Sequence, residues 1–324
     1  MKVQCRICPR MCEIEEGRTG ACRVRANVNG EIIPLTYGKP CSIAIDPVEK
    51  KPLYHFLPGS NILSVGTAGC NLHCKFCQNW EISQSSPEDL ATYDVVPKQL
   101  VDFAVEKKCL SIAYTYTDPT VFYEYAFDCS VQAHEVGIKN VLVTAAYINP
   151  GPWRRICGVT DAANVDLKAL SEKFYRDICG AELKPVLDAL VAAKEIGVML
   201  ELTNLVIPGL NDSDADLQKL SRWVKENLGK ETPLHFSRFF PQYRMTDRNP
   251  TSKERLQTAR EIALSEGMNF VYIGNIITKG AENTVCPSCG EMLIERSGFN
   301  VSKNILKNGK CPKCGCEIYG IWNG

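Results

Sequence analysis

The sequence predicts an α/β fold built on a partial (β/α)6-type TIM barrel, with a short cysteine-rich segment before it and a small four-cysteine module after it. Seven apolar, β-branched runs alternate with helix-like segments through the middle of the 324-residue chain. Strand and helix in regular alternation imply a parallel sheet with right-handed crossovers. Because no G-x-G-x-x-G motif follows the first run, a barrel is favoured over an open doubly wound sheet.

These elements divide the chain into three predicted parts: an N-terminal segment at 1–60, the barrel at 61–281 and the C-terminal module at 282–324. The predicted strands cover 61–66, 110–115, 140–144, 162–167, 198–207, 234–239 and 270–273. Polar or proline starts and glycine stops mark most of the predicted helices, which cover 96–108, 118–137, 184–197, 213–229 and 251–267.

Composition excludes several classes of protein. Thirty-seven basic residues balance 37 acidic ones, which gives no electrostatic reason to expect nucleic acid or an anionic membrane as a partner. No early apolar run resembles a signal peptide, and no stretch approaches the roughly 20 apolar residues of a membrane-spanning helix. We therefore expect a cytoplasmic, reduced protein, in which 17 cysteines indicate metal binding rather than disulfides.

The segment GTAGCNLHCKFCQNW follows the first predicted strand and carries Cys70, Cys74 and Cys77 in the spacing C-x3-C-x2-C. Barrel active sites lie at the carboxyl ends of the strands, where this loop begins. Thiolates select zinc, Cu(I) or iron–sulfur clusters. Three of them would leave one iron of a [4Fe–4S] cluster open to an exogenous ligand. The alternatives are a zinc site completed by His73 or a remote ligand, and unrelated free cysteines.

This triad after the first strand of a barrel, with Phe76 before its last cysteine, resembles the radical S-adenosylmethionine (SAM) superfamily. A narrower resemblance covers nearly the whole chain. It is similar to the AmmeMemoRadiSam-type radical SAM proteins, relatives of pyruvate formate-lyase activating enzymes that are named for their association with Memo-like and AMMECR-like proteins. The segments that carry it are CRICPRMC, DPVEKKPLYHF, GCNLHCKFCQNWEIS, YTYTDPTVFYEY, NVDLKA, LVIPGLNDS and HFSRFFPQYR, together with the C-terminal cysteines.

The resemblance implies an oxidoreductase in which Cys70, Cys74 and Cys77 hold the [4Fe–4S] cluster and the open iron binds SAM. One-electron reduction would cleave SAM to a 5′-deoxyadenosyl radical, which abstracts hydrogen from a protein or small-molecule substrate. An electron donor such as ferredoxin or flavodoxin is implied, with Memo-like and AMMECR-like proteins or a glycyl-radical enzyme as partners. The alternative function is a non-catalytic zinc or iron–sulfur protein that binds a partner or transfers electrons.

The resemblance also assigns SAM contacts. Thr117 and Asp118 occupy the place of a Gly-Gly-Glu-Pro stretch that contacts the SAM amino group, although Asp118 is also suited to capping the next helix. Thr144 replaces a polar residue that contacts SAM. Asp166 and Lys168, two residues apart on a strand, face one side of the sheet. They would bind the SAM carboxylate or a substrate, or form a structural ion pair.

Three further side chains follow the sixth predicted strand or lie on it. Arg238 and Tyr243 are either groups on the SAM or substrate side of the site or structural residues. We expect His235 to be a packed histidine rather than a ligand, because it alternates with a phenylalanine along the strand.

Two further cysteine sets flank the barrel. Cys286, Cys289, Cys311 and Cys314 form two C-x2-C knuckles with zinc-ribbon spacing, which predicts a structural Zn²⁺. Near the N-terminus, the set Cys5, Cys8, Cys12 and Cys22 is suited either to a second Zn²⁺ site or to an auxiliary iron–sulfur cluster, and the sequence favours zinc or a structural role by a small margin. The lone cysteines at 41, 109, 129, 157 and 179 are expected to be small core residues.

Overall fold

The computed structural model describes residues 1–278 and 280–323 of the chain, which is organised around one eight-stranded sheet. Its strands run β12-β11-β10-β9-β8-β7-β6-β5, so that neighbours in the sheet are neighbours in sequence. In the described residues the order begins at β12 and ends at β5, with no pairing between these two strands. Over the described part of the chain the sheet is therefore open rather than closed into a barrel.

The sheet strands, in chain order, are β5 (Ser42–Pro47), β6 (Asn61–Gly66), β7 (Ser111–Tyr114), β8 (Lys139–Thr144), β9 (Ala162–Asp166), β10 (Met199–Val206), β11 (Leu234–Arg238) and β12 (Val271–Gly274). The strands from β6 to β12 are parallel, and each predicted strand is found with bounds within one residue of those expected from the sequence. The additional strand β5 comes from the N-terminal segment and pairs antiparallel with β6.

The helices between the parallel strands are α1 (Trp80–Ser83), α2 (Pro97–Glu106), α3 (Tyr123–Glu135), α4 (Pro150–Cys157), α5 (Glu172–Phe174), α6 (Leu183–Ile196), α7 (Asp214–Leu228) and α8 (Lys253–Ser265). Short 3-10 turns cover Val48–Lys50 and Pro87–Asp89, and a π-helix, Tyr175–Cys179, continues α5. Ser213 and Ser252 cap α7 and α8 by accepting the backbone N–H three residues on. The main apolar core lies between these helices and the sheet.

The two ends of the chain form small antiparallel modules. At the N-terminus β1 (Lys2–Gln4) pairs with β2 (Glu13–Glu15), and β3 (Arg25–Val28) pairs with β4 (Glu31–Pro34). At the C-terminus β13 (Thr284–Val285), β14 (Met292–Ser297) and β15 (Asn300–Asn304) form a three-stranded sheet. Among the described residues, no helix combines the length and the apolar character that crossing a membrane requires.

The two modules meet opposite edges of the main sheet. The N-terminal module contacts loops that follow the parallel strands, since Asn149 after β8 donates to the carbonyls of Arg6 and Cys8. The C-terminal module covers the edge where the strands begin. There Tyr319 accepts a hydrogen bond from the backbone N–H of Leu200, the second residue of β10. The carboxyl edge therefore carries one cysteine-rich module, and the amino edge carries the other.

Candidate active site

The cysteine triad leaves the sheet directly at the carboxyl end of β6. Cys74 is buried, and Cys70 and Cys77 are half-buried. Two close backbone approaches explain the glycines of this loop. A Cβ on Gly66 would lie 2.6 Å from the carbonyl oxygen of Thr115 after β7. A Cβ on Gly69, whose φ is +82°, would lie 2.5 Å from the carbonyl oxygen of Cys22, so only glycine fits without a shift of the backbone.

The three thiols have different surroundings. Burial raises the pKa of Cys70 and of Cys77, as it does for any thiol withdrawn from water. A hydrogen bond with Cys179 lowers the pKa of Cys74. Ser83 lies 3.2 Å from the sulfur of Cys77. The loop thus surrounds its cysteines with hydroxyl and thiol groups that can donate to sulfur.

Asp166 and Lys168, at the carboxyl end of β9, form an ion pair beside this triad. Lys168 Nζ is 3.1 Å from Asp166 Oδ2, and the side chain of Lys168 is only 12% exposed. Burial alone would lower the pKa of Lys168, but Asp166 and the thiols of Cys74 and Cys179 hold it well above the usual value. The ammonium also lies 5.6 Å from the ring centroid of Phe76. The sequence predicts that Asp166 and Lys168 face one side of the sheet, and in the structure their side chains are in contact.

Asp118 and Thr144 bond to each other and tie the loops after β7 and β8 together. The Thr144 hydroxyl donates to Asp118 Oδ2 at 3.0 Å, and the backbone N–H of Ala145 donates to the same oxygen at 2.8 Å. The N–H of Thr120 donates to Oδ1 at 2.9 Å. Burial raises the pKa of Asp118, and these donors oppose that rise. Asp118 is thus a fixed acceptor, and neighbouring Thr117 donates to the carbonyl of Thr67 at 3.1 Å.

The loop after β11 packs against the triad loop. Tyr243 stacks on Trp80 with ring centroids 5.3 Å apart, and Arg244 N donates to the carbonyl of Lys75 at 2.9 Å. Arg238 points to its own loop, where Nε donates to the carbonyl of Thr251 at 2.8 Å. These contacts make the β11 loop one side of the site.

One residue of the site was missed by the sequence reasoning. Cys179 was expected to be a lone core cysteine, yet it ends the π-helix after β9 and hydrogen-bonds with Cys74. Single-turn π-helices occur frequently at functional sites. Its position in a loop at the carboxyl edge was the available signal. By contrast, His235 is buried and bonds Glu201 at 2.6 Å near the opposite edge, as a packed histidine should.

The C-terminal cysteines converge on a single point. Cys286, Cys289, Cys311 and Cys314 offer sulfur atoms that all lie within 4.8 Å of one another. Two of the distances, Cys286 to Cys314 and Cys289 to Cys311, are 3.6 and 3.7 Å. Four sulfurs about 2.3 Å from one tetrahedral ion would be about 3.8 Å apart. This group can therefore hold one metal ion, and Cys316 lies outside it.

The sulfur atoms of the triad and of the N-terminal cysteines are less closely gathered than those of the C-terminal quartet. Over residues 1–278 and 280–323, the C-terminal quartet is the one group of three or more potential ligand atoms gathered within 4.8 Å. A [4Fe–4S] cluster needs a wider arrangement, because each thiolate binds a different iron. The sulfur atoms of Cys70, Cys74 and Cys77 are not gathered as closely as those of the C-terminal quartet.

Comparison with known proteins identifies the family. A family model described as the radical SAM superfamily matches residues 64–220. The chain is 46% identical over 319 residues to the uncharacterized protein MJ0808 of Methanocaldococcus jannaschii, a match that covers 98% of this chain and 95% of that protein. The pyruvate formate-lyase-activating enzyme of Clostridium pasteurianum is 25% identical over 159 residues, which is 48% of this chain and 66% of the enzyme.

Solved structures support the fold alone. A radical SAM methyltransferase from Sphaerobacter thermophilus matches with a TM-score of 0.54 and 17% identity, over 73% of this chain and 71% of that one. Streptococcus suis SuiB bound to S-adenosylmethionine matches with a TM-score of 0.53 and 14% identity, over 70% of this chain and 53% of that one. This chain therefore belongs to one family with MJ0808, carries a radical SAM domain over residues 64–220, and is homologous to pyruvate formate-lyase-activating enzymes.

Proposed function

We propose that this chain is an AmmeMemoRadiSam-type radical SAM enzyme whose cluster is held by Cys70, Cys74 and Cys77. The observation that carries the proposal is the position of the Lys168 ammonium, 5.6 Å from the ring centroid of Phe76 in the triad loop and 3.1 Å from Asp166 Oδ2, which puts a nearly buried cation beside the thiols at the carboxyl edge. When bound, the cluster supplies the electron for reductive cleavage of SAM, which begins hydrogen abstraction from a substrate. The chain's own residues bind and orient the reactants.

We assign Lys168 to an anionic group, either the carboxylate of SAM or one on the substrate. Its ammonium is nearly buried, and Asp166 satisfies only one of its three donors in the described contacts. Phe76 presents an aromatic ring to the same ammonium. A buried, partly satisfied cation attracts a carboxylate strongly, because water does not screen the pair.

We assign Asp118 to the amino group of SAM. Its carboxylate accepts from the backbone N–H groups of Thr120 and Ala145, and the Thr144 hydroxyl reaches both of its oxygens. The ammonium of SAM would share this anionic acceptor with those donors. The same hydrogen bonds fix the carboxylate in place, so the shorter side chain of aspartate is compensated by a rigid position. Thr117 and Thr144 would then act by holding the loops around it.

For the substrate we propose a C–H bond in a protein or a small molecule, as in activating enzymes. Homologues include the benzylsuccinate synthase activating enzyme of Thauera aromatica, 23% identical over 186 residues and matched over 56% of each chain. A ferredoxin or flavodoxin would supply electrons, and a glycyl-radical enzyme or Memo-like and AMMECR-like proteins are the proposed partners. Deuterium transfer into 5′-deoxyadenosine from labelled candidates would identify the substrate.

The test is anaerobic reconstitution of the full chain with iron and sulfide, followed by reduction and addition of SAM. We expect the EPR signal of the reduced protein to change on SAM addition and 5′-deoxyadenosine to form. Cys74→Ala should abolish both. Cys109→Ala is the matched control, because Cys109 is an equally buried cysteine of the same core that lies outside the site.

Two outcomes would contradict the proposal. An EPR signal that SAM leaves unchanged, with no 5′-deoxyadenosine, would favour a cluster protein that only transfers electrons. Zinc in place of iron after strictly anaerobic purification would favour a non-catalytic zinc protein. If Lys168→Ala left the SAM concentration needed for the EPR change unaltered, the triad could stand but the role of Lys168 would be wrong.

A further inference from the structure

We infer that Cys5, Cys8, Cys12 and Cys22 hold a second, auxiliary iron–sulfur cluster of the four-iron type. All four line one cavity between the N-terminal module and the triad loop. The sequence alone favours zinc or a structural role by a small margin. The structure reverses that preference, for reasons of spacing, charge and position.

Spacing is the first reason. The C-terminal quartet of the same chain shows how four cysteines gather around one ion, with sulfurs 3.6 and 3.7 Å apart. The N-terminal four are not gathered in this way, although every one of them faces the same cavity. Thiolates that surround a common space without touching are suited to a group that has several metal corners.

The local fold holds this open arrangement. The backbone N–H of Cys5 donates to the carbonyl of Cys12 at 2.9 Å, which pins the two residues across the end of the β1–β2 hairpin. Between them, Met11 N donates to the carbonyl of Cys8 at 3.1 Å in a turn. A Cβ on Gly20 would lie 3.4 Å from the sulfur of Cys12, so glycine keeps this side of the cavity free. The hairpin and its turn thus fix the positions of Cys5, Cys8 and Cys12 at the cavity.

Charge is the second reason. Arg25 lines the same cavity as Cys5 and is only 5% exposed. Two of its nitrogens bind Glu124 at 2.8 and 2.7 Å, while its Nε–H has no hydrogen-bond partner in the described part of the chain. An unpaired buried donor is costly. Sulfur atoms of an anionic cluster would satisfy it, and hydrogen bonds to sulfur are one way that proteins set a cluster's potential.

Position is the third reason, and it indicates why two clusters would be useful together. The cavity also includes Asn71, the residue after Cys70, whose carbonyl accepts from Arg10 Nε at 2.5 Å. On the other side, the carbonyl of Cys22 lies against Gly69. The proposed cluster and the triad are therefore separated only by the backbone of one loop. An auxiliary cluster there would lie beside the triad's cluster as a second one-electron centre.

The test uses the full chain with the triad removed, so it does not depend on the proposed function. Cys70→Ala/Cys74→Ala/Cys77→Ala protein would be reconstituted anaerobically with ferrous iron and sulfide. We expect it to retain about four iron atoms and four acid-labile sulfides per chain. Sulfide is the decisive readout, because an iron or zinc ion in the C-terminal quartet brings none. Replacing Cys8 with alanine in the same background should remove this sulfide.

Two results would overturn the inference. If the triad-free protein binds no labile sulfide and contains two zinc ions per chain, the site is a zinc site and the inference is wrong. If it binds neither, the four cysteines have no cofactor and the inference is also wrong. Because loss of Cys8 could disturb folding, Arg25→Gln in the triad-free background provides a second measurement. This variant should retain its cluster with a more negative reduction potential. An unchanged potential would show that Arg25 does not donate to the cluster.

Discussion

Replacing Gly69 with alanine tests how closely the N-terminal module packs against the triad loop. Gly69 has a φ of +82°, and a Cβ there would lie 2.5 Å from the carbonyl oxygen of Cys22 and 2.6 Å from a methyl group of Val24. The valine methyl belongs to a side chain, whereas the Cys22 carbonyl belongs to the backbone of a turn in which Arg23 N donates to the carbonyl of Gly20 at 2.9 Å. The substitution must therefore move one chain segment relative to the other.

The expected loss of stability has two parts, and the same substitution at a second glycine measures one of them alone. Gly137, which follows α3, has a φ of +78° and no atom within 4 Å of its Cβ position. Gly137→Ala should therefore cost only the left-handed backbone penalty, roughly 1–2 kcal/mol. Gly69→Ala should cost that penalty and a further 1–3 kcal/mol or so for overpacking against Cys22. The total is about 2–5 kcal/mol of the free energy of unfolding.

Urea unfolding of the reduced, metal-free variants provides the measurement, with the free energy taken from the midpoint and slope. Iron retained after reconstitution is the second readout, and it should fall for Gly69→Ala but not for Gly137→Ala. Equal losses of stability for the two variants would refute the reasoning. They would show that the Cys22 segment yields freely and that the N-terminal module is only loosely attached to the triad loop.

Three further predictions concern other parts of the molecule. Cys289→Ser should lose one metal ion per chain and lower the Tm, measured by metal analysis and thermal unfolding, while Cys316→Ser should change neither. Burial lowers the pKa of His55 to about 4 from 6.5, so the unfolded chain binds a proton before the folded chain does as the pH falls. The free energy of unfolding of metal-free protein should then decrease by about 3 kcal/mol between pH 6.5 and 4, and by less in His55→Gln. Cys179→Ala should retain its iron but show a more negative cluster potential in voltammetry, because a donor to Cys74 is lost, whereas Cys157→Ala should match the wild type.

The parallel strands could be predicted because their apolar runs are long and clearly bounded. Other elements gave weaker patterns. Strand β5 ends in Asp46 and Pro47, so its alternation reads as a loop, and only pairing with β6 makes it a strand. Helix α4 begins PGP, where two prolines and a glycine suggest a turn, although proline suits the first turn of a helix. Tertiary contacts, which a local pattern does not contain, decided both cases.

The same distinction holds for the site. That Cys74 and Lys168 share one edge follows from strand order, because the carboxyl ends of parallel strands meet there. The hydrogen bond between Cys74 and Cys179 depends on a π-helix, which no residue pattern indicated. The spacing of the N-terminal sulfurs depends on turns with left-handed residues such as Met11 and Arg23, whose φ values are +46° and +67°. Cysteine spacing in sequence predicted a site, but turn geometry decides between one ion and a cluster.

We expect the amino edge of the main sheet to stabilise the fold and the carboxyl edge to carry the chemistry. At the amino edge Glu201 is fully buried and accepts from the backbone N–H of His55 at 2.7 Å and from His235 Nε2 at 2.6 Å. Tyr319 from the C-terminal module completes this network, since its carbonyl accepts from His55 Nδ1 at 2.6 Å, which leaves Nε2 to accept from the hydroxyl of Tyr272 at 2.7 Å. Without the module, that imidazole would lose a partner for a buried N–H, at a cost of about 1–3 kcal/mol. Loss of a metal ion from the C-terminal quartet should therefore lower the free energy of unfolding, whereas we expect substitutions of the cysteines at the carboxyl edge to change electron transfer.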